Sequence, residues 1–133
     1  MRVCYLDASA LVKLATAEPE TKALRDYLGQ SAIRITSRLA TVEVARAIRR
    51  RGDDSRSMVG EIAKAFEGLA ILELDESVAT TAGGVEPATL RSLDAVHLAS
   101  ALSLGVEETS LVTYDLRLAD AARAGGLEVV APA

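Results

Sequence analysis

The sequence contains very little cysteine, histidine and aromatic residue. Among its 133 residues there are one cysteine, one histidine, one phenylalanine and three tyrosines. A lone Cys4 excludes an internal disulfide framework, and its place in an apolar run predicts a packing role. A thiol nucleophile would need a neighbouring base, and His97 is the one histidine in the chain. With so few thiol and imidazole groups, a metal site built on soft ligands is excluded as well.

The chain also lacks long apolar runs and an excess of basic charge. No apolar stretch approaches the roughly 20 residues that span a bilayer, and the run from Val3 to Leu6 is too short for a secretory signal. We therefore expect a cytoplasmic protein with no membrane partner. Fifteen Lys and Arg residues against 19 Asp and Glu residues give a net charge of −4, which argues against a general polyanion binder. One stretch is locally basic and contains Arg46, Arg49, Arg50, Arg51 and Arg56.

Short β-like runs alternate with helical segments along the chain, with no repeat or linker to divide it. At this length the sequence predicts one domain spanning residues 1–133. Alternating strands and helices predict parallel pairing with right-handed crossovers, so we expect a three-layer α/β/α sandwich with a five-stranded parallel sheet. The strands are expected at residues 2–6, 32–36, 70–74, 110–113 and 127–130. The helices are expected at residues 8–17, 19–28, 38–51, 56–68, 76–82, 93–104 and 116–124.

Capping residues and glycines predict where several helices begin and end. Asp7 or Ser9 suits the N-cap of the first helix, Ser37 that of the third, and Ser92 that of the long apolar helix. Pro19 is expected to open the second helix. Gly83-Gly84 is expected to end the short helix before it, and Gly52-Asp53-Asp54 is expected to form a turn.

Four single carboxylates each interrupt an otherwise apolar run: Asp7, Glu43, Asp94 and Asp115. Carboxylates are almost never fully buried unless they are paired or bind a metal. Asp7 and Asp115 directly follow predicted strands, so both belong at the carboxyl edge of the sheet, where ligands of such sheets bind. Asp94 falls in the first turn of its helix, and Glu43 in the second turn of the helix after the second strand. We therefore expect three of these acids on one rim, with the longer side chain of Glu43 reaching it.

Electrostatics limits how such a rim can exist. Two carboxylates about 4 Å apart repel by roughly 4 kcal/mol at an effective dielectric near 20. Several such pairs would rival the roughly 5–15 kcal/mol stability of a whole domain. Either some of the acids are protonated or a cation lies among them. Oxygen ligands suit Mg²⁺ or Mn²⁺, and a carboxylate-held Mg²⁺ activates water and stabilises charge on a phosphate. The pattern therefore indicates phosphodiester hydrolysis.

Each acid also has a purely structural explanation. Asp7 and Asp115 can cap the helices that follow them, and Asp94 can serve the dipole of its own helix alone. Glu43 can pair with Arg46 or with Arg38 across helical spacing. These explanations account less well for four acids on one rim.

Four segments in order resemble the PIN-domain ribonucleases. They are residues 5–14 (YLDASALVKL), 41–47 (TVEVARA), 92–101 (SLDAVHLASA) and 111–118 (LVTYDLRL). Their order and spacing are most similar to the VapC-type toxins of bacterial toxin–antitoxin modules. The resemblance spans essentially the full chain, and four motifs in order are far more specific than any one of them.

The resemblance implies a single PIN-like domain with Mg²⁺- or Mn²⁺-dependent endoribonuclease activity. The four acids would be the catalytic residues and would hold the metal ion, with Asp7 and Asp94 as the principal ligands. The other two acids would complete the cluster, partly through water, and Ser9 and Thr113 would orient ligands or waters beside them. Cleavage would leave a 3′-hydroxyl and a 5′-phosphate. The sequence departs from many relatives at Leu116, where a polar or basic residue is common.

The resemblance also implies three partners: an RNA substrate, a cognate antitoxin and a second copy of the chain. An antitoxin would fold onto the toxin and insert a basic side chain into the acidic pocket, and a homodimer would align two active sites along one RNA groove. Arg46, Arg49 and Arg50 are candidate contacts to RNA phosphates or to acids of the antitoxin, although a helix end that favours cations explains any one of them equally well. With so few aromatic residues, RNA recognition is expected through shape and phosphates.

The sequence also bears on the role of His97 and on two alternative functions. His97 follows Asp94 by three residues and so shares a helix face with it, which suggests a general base. Its apolar surroundings instead favour a hydrogen-bonded structural histidine. A receiver-like phosphoacceptor domain would have paired acids near the end of the first strand and a lysine near the end of the last, and the sequence has neither. A catalytically degenerate domain that binds RNA or a partner without cleaving is the second rival.

Overall fold

Five parallel strands form one sheet within residues 2–30, 33–52 and 55–133, which are those that the computed structural model of the protein describes. The strands are β1 (Val3–Leu6), β2 (Ile33–Ser37), β3 (Ala70–Leu72), β4 (Thr109–Val112) and β5 (Glu128–Val130). The helices are α1 (Ala8–Ala15), α2 (Thr21–Leu28), α3 (Arg38–Arg50), α4 (Ser55–Phe66), α5 (Glu76–Gly84), α6 (Ser92–Ser103) and α7 (Leu116–Ala124). No helix in these residues is long and apolar enough to cross a membrane.

Side chains of the central strand β1 pack against both faces of the sheet, as expected of a buried parallel strand. Cys4 and Leu6 belong to the apolar core formed with α1, α2, α3 and α4. Tyr5 belongs to a second core, in which it packs with Leu98 of α6 and Leu118 of α7. Helices therefore cover both faces, and the predicted three-layer α/β/α sandwich with a five-stranded parallel sheet is confirmed. The predicted packing position of Cys4 is confirmed as well, since only 1% of it is exposed.

The order of the strands, β3-β2-β1-β4-β5, decides where a ligand can bind. Receiver-like sheets have the order 2-1-3-4-5, so the receiver-like alternative is wrong. β2 and β3 lie on one side of β1, and β4 and β5 lie on the other, so the topological switch point of the sheet is between β1 and β4. In such sheets ligands bind beyond the carboxyl ends of the strands at that point. Asp7 directly follows β1, and Thr113 and Asp115 follow β4.

Most helices begin near their predicted capping residues. Asp7, rather than Ser9, caps α1 by accepting a hydrogen bond from a backbone amide of that helix at 3.1 Å. Ser37 caps α3 in the same way, also at 3.1 Å. The prediction that Ser92 caps α6 is wrong, because Ser92 is already helical and Arg91 holds the cap position without a side-chain capping bond. The side chain of Arg91 has ion-pair partners elsewhere, described below.

Two other helix ends differ from the prediction. α5 continues through Gly83-Gly84, neither of which has a positive φ, because its packing against α6 outweighs the low helix propensity of glycine. α2 begins at Thr21 rather than at Pro19, since the Thr21 hydroxyl accepts a hydrogen bond from the backbone amide of Glu18, before the helix, at 2.9 Å. Ala32 of the predicted second strand and Asp53-Asp54 of the predicted turn lie outside the described residues.

Candidate active site

Asp7 lies buried at the carboxyl end of β1, with 3% of its surface exposed. Its Oδ1 accepts hydrogen bonds from the Ser9 hydroxyl at 2.7 Å and from the Ala10 amide at 3.1 Å. Its Oδ2 accepts one from the Thr113 hydroxyl at 2.6 Å. Burial raises the pKa of Asp7, and the hydrogen bonds from Thr113 and Ser9 offset part of that rise. The hydrogen bonds therefore hold the carboxylate in one orientation, while burial destabilises its charged form.

The two hydroxyls beside Asp7 join the ends of β1 and β4. The Ser9 hydroxyl accepts the Tyr114 amide at 2.9 Å while it donates to Asp7. The Thr113 hydroxyl accepts the Asp115 amide at 3.0 Å while it also donates to Asp7. Both hydroxyls thus have fixed donor and acceptor partners, and they connect the carboxylate that follows one strand to the backbone that follows its neighbour.

Asp94 and Asp115 share one cationic partner, the guanidinium of Arg91. Arg91 Nε lies 3.3 Å from Asp94 Oδ2, and its Nη2 lies 3.4 Å from Asp115 Oδ2. Asp115 Oδ1 faces the other way and caps α7, accepting the amides of Arg117 at 2.9 Å and Leu118 at 3.1 Å. Burial and the charge of Asp115 raise the pKa of Asp94, and Arg91 offsets part of the rise. Asp115 therefore acts as a helix cap and still turns one oxygen to the rim.

Glu43 is held by a buried histidine. Glu43 Oε1 lies 2.6 Å from Nε2 of His97, and the other ring nitrogen of His97, Nδ1, lies 2.7 Å from the hydroxyl of Tyr5. Because a carboxylate only accepts, a neutral His97 donates from Nε2 to Glu43 and accepts from Tyr5 at Nδ1. Burial raises the pKa of Tyr5, which keeps that hydroxyl protonated as a donor. The alternative pairing of Glu43 with Arg38 is wrong, since Arg38 pairs with Glu73 at 2.7 Å.

Asp94 and Asp115 are linked through Arg91, and protein donors occupy all four acids. In the described part of the chain, no three Asp, Glu, His or Cys side chains lie close enough together to hold a metal ion as they stand. Their oxygens are nonetheless of the kind that Mg²⁺ and Mn²⁺ prefer. The Arg91 guanidinium also shows that Asp94 and Asp115 are placed to share one positive charge. The residues therefore fit a divalent cation that takes the place of the guanidinium.

Two of the three basic residues proposed for RNA or antitoxin contact line one groove beside α3. Arg46 and Arg50 line a groove together with Glu43 and the exposed side chains of Val42 and Leu93. This groove, named here the α3 groove, opens beside Glu43 and Ser9. Arg49 is exposed on α3 but is not among the residues lining the groove.

Sequence reasoning missed Arg91 and the role of Tyr5, and it did not connect His97 with Glu43. His97 lies 54 residues from Glu43, and Arg91 lies 24 residues from Asp115, so both contacts depend on the tertiary structure. The one local signal was the three-residue spacing from Arg91 to Asp94, which brings side chains together at a helix start.

The raised pKa of Asp7 predicts a specific effect of pH on stability. A carboxyl whose pKa is higher in the folded than in the unfolded chain adds stability at low pH, and that stability is lost as the pH rises through the folded pKa. Asparagine cannot ionise, so Asp7→Asn escapes this loss. With EDTA present, the free energy of unfolding of Asp7→Asn minus that of the wild type should rise from the ordinary carboxyl pKa of 3.8 towards neutral pH. Urea unfolding across this range measures the difference, and a constant difference would contradict the prediction.

An α/β sandwich with an acid-lined rim between β1 and β4 defines a domain of the PIN class. The family model for the PIN domain matches residues 4–124. The chain is also 47% identical over 132 residues to Ribonuclease VapC46 of Mycobacterium tuberculosis (strain ATCC 25618 / H37Rv), a match that covers 99% of each chain. The chain therefore belongs to the PIN-domain family, and within it to the VapC proteins.

Solved structures with the same fold include toxins of this kind. The crystal structure of Mycobacterium tuberculosis VapC20, described as a toxin that cleaves the sarcin–ricin loop, superposes with a TM-score of 0.74 at 15% identity and covers 97% of this chain and 99% of its own. A toxin–antitoxin complex from Klebsiella pneumoniae superposes with a TM-score of 0.69 at 20% identity and covers 98% of each chain. At these identities the likeness concerns the fold alone, and it confirms the PIN-like architecture.

Proposed function

We propose that this chain is a Mg²⁺- or Mn²⁺-dependent endoribonuclease and the toxin of a toxin–antitoxin pair. The observation that carries the proposal is the set of carboxylates at one edge of the sheet, two of which already share a positive charge from Arg91. Ribonuclease VapC46, at 47% identity over nearly the whole chain, supports the reaction class. The neighbour from Klebsiella pneumoniae, a toxin–antitoxin complex, supports an antitoxin partner.

In this proposal the role of each acid as a metal ligand follows from its surroundings. Asp7 and Asp94 are the principal ligands because they are buried, with 3% and 8% of their surfaces exposed. Asp115 contributes Oδ2, since its Oδ1 caps α7. Glu43 completes the set with a carboxylate that His97 holds in place. When bound, a divalent cation acidifies a water molecule and neutralises charge on the phosphodiester.

Ser9 and Thr113 fix the orientation of Asp7 in the same proposal. Each donates to a different oxygen of Asp7, and each accepts a backbone amide from the segment after β4. Such outer-shell partners restrict the rotamers of a ligand and keep it charged. They therefore favour an Asp7 carboxylate that is already oriented before RNA binds.

The α3 groove is the proposed entry for the partners. Arg46 and Arg50 bring positive charge beside Glu43, as RNA phosphates require, and the exposed Arg49 adds further charge on α3. Val42 is 55% exposed and Leu93 49% exposed, so the groove also offers apolar surface to an antitoxin. A homodimer belongs to the proposal through the family resemblance.

Removal of divalent cations provides the direct test. Purified protein is incubated with total RNA and Mg²⁺, and cleavage is followed on denaturing gels. Excess EDTA should stop cleavage, and added Mn²⁺ should restore it, because in the proposed site the divalent ion is the group that acidifies the attacking water and neutralises charge on the phosphodiester. Asp94→Asn in parallel identifies any contaminating nuclease, since cleavage that survives this substitution does not come from the proposed site. A wild-type protein that cuts no RNA under any divalent ion would instead support the non-cleaving, RNA- or partner-binding alternative.

A further inference from the structure

Arg91 combines a central position with an exposed side chain. Its guanidinium reaches Asp94 and Asp115 at 3.3 and 3.4 Å, yet 69% of the side chain is exposed, against 11% for Asp94 and 24% for Asp115. Within residues 2–30, 33–52 and 55–133, no other lysine or arginine forms an ion pair with any of the four acids. Among the described residues, Arg91 is therefore the one lysine or arginine that pairs with acids of the proposed metal site.

The oxygens that Arg91 occupies are those that a divalent cation would need. Asp115 Oδ1 is committed to two backbone amides of α7, so Oδ2 is the oxygen that remains for another partner, and Arg91 lies against it. The same guanidinium lies against Oδ2 of Asp94. A divalent ion and Arg91 therefore compete for the same two atoms, and the doubly charged ion has the stronger attraction.

Displacement would leave an arginine beside the reacting phosphate. The backbone of Arg91 is anchored at the start of α6, so its long, solvent-exposed side chain stays at the rim when the two carboxylates no longer hold it. Guanidinium groups bind phosphate oxygens with two parallel hydrogen bonds. We propose that Arg91 is a phosphate-binding residue for RNA, which Asp94 and Asp115 hold until a divalent cation replaces it.

This inference rests on the proposed function, and it predicts opposite effects on two ligands. Arg91→Gln should bind Mn²⁺ about twofold to fivefold more tightly than the wild type, because an exposed ion pair no longer competes. The same variant should bind RNA more weakly when a divalent ion is present. Its plot of log affinity against log salt concentration should be shallower by about 0.7, the contribution of one single-strand phosphate contact.

Arg123→Gln is a matched control. Arg123 pairs with Asp120 at 3.7 Å and three-residue spacing on α7, and its side chain is 59% exposed, so it resembles the pair of Arg91 with Asp94 but lies away from the four acids. Mn²⁺ affinity is measured by isothermal titration calorimetry without RNA. RNA affinity is measured by the anisotropy of a fluorescein-labelled, single-stranded 20-mer of mixed sequence, once with Ca²⁺ and once with EDTA, and a gel verifies that the probe stays intact.

We expect Arg91→Gln to weaken RNA binding with Ca²⁺ and to leave it unchanged with EDTA, where the acids of the wild type hold the guanidinium. If Arg91 has only a structural role, Arg91→Gln should bind Mn²⁺ no more tightly than the wild type does. It should also bind RNA as tightly as the wild type in both buffers. Either result overturns the inference. A wild-type protein that binds no Mn²⁺ overturns the proposed function itself, so the two failures are distinguishable. Arg91→Gln and Arg123→Gln should both match the wild type in thermal unfolding within the small effect of an exposed ion pair.

Discussion

Asp7→Asn should lower the rate of RNA cleavage by more than about 100-fold while the fold stays intact. The loss of a hydrogen-bond partner of a metal ligand costs roughly 10–100-fold, and this substitution removes the charge of a proposed principal ligand itself. The fold should survive because Asn caps helices as well as Asp does. Its oxygen can accept from Ser9 and Ala10, as Asp7 Oδ1 does.

The amide nitrogen of the new Asn also finds a partner. It would take the place of Asp7 Oδ2 and donate to the Thr113 hydroxyl, whose hydrogen can then turn to Ser9 Oγ at 3.4 Å. The maximal cleavage rate at saturating Mg²⁺ measures the effect, with circular dichroism to verify the fold. Asp120→Asn is the control, since the Asp120 side chain is 83% exposed and pairs only weakly with Arg123 on its own helix. If Asp7→Asn cleaves within a few-fold of the wild type, Asp7 is a helix cap and not a ligand.

His97→Leu should lower the cleavage rate by about 10–100-fold, the usual cost of losing the partner that orients a metal ligand. Leucine fills a similar volume but cannot donate to Glu43, so the carboxylate loses its 2.6 Å bond to Nε2. His97→Gln keeps a nitrogen donor near that position and should recover most of the activity. Tyr5→Phe, which removes only the hydroxyl 2.7 Å from Nδ1, should have a smaller effect of the same kind.

A double-mutant cycle separates this positioning role from a merely structural one. If His97 acts through Glu43, His97→Leu should cause little further loss in a protein that already carries Glu43→Ala. Equal losses in both backgrounds would mean that His97 affects activity through the core and not through Glu43. Mn²⁺ affinity, measured by calorimetry, gives a second readout, and it should fall with His97→Leu and recover with His97→Gln. Thermal unfolding of each variant identifies any general loss of stability.

Much of the fold is encoded locally and was predictable. Each strand contains at least two apolar residues, and each turn from strand to helix carries a residue that caps the helix, as Asp7 and Ser37 do. The errors arose where a local preference met a tertiary contact. Gly83 and Gly84 are poor helix formers, yet α5 includes them because it packs against α6. Ser92 is a good capping residue, but Arg91 holds that position and reaches the acids instead.

For the candidate site, the sequence by itself determined which acids stand out and the edge of the sheet to which they belong. This was possible because a carboxylate in an apolar run is costly, and because parallel strands bring their carboxyl ends to one edge. Only the tertiary structure decided the partners that hold them: Thr113 for Asp7, His97 for Glu43, and Arg91 for Asp94 and Asp115. Apart from the pair of Arg91 with Asp94, those contacts join residues far apart in the chain, and hydrogen bonds and ion pairs act over only a few ångströms. Their geometry therefore exists only once the sheet has brought the separate segments together.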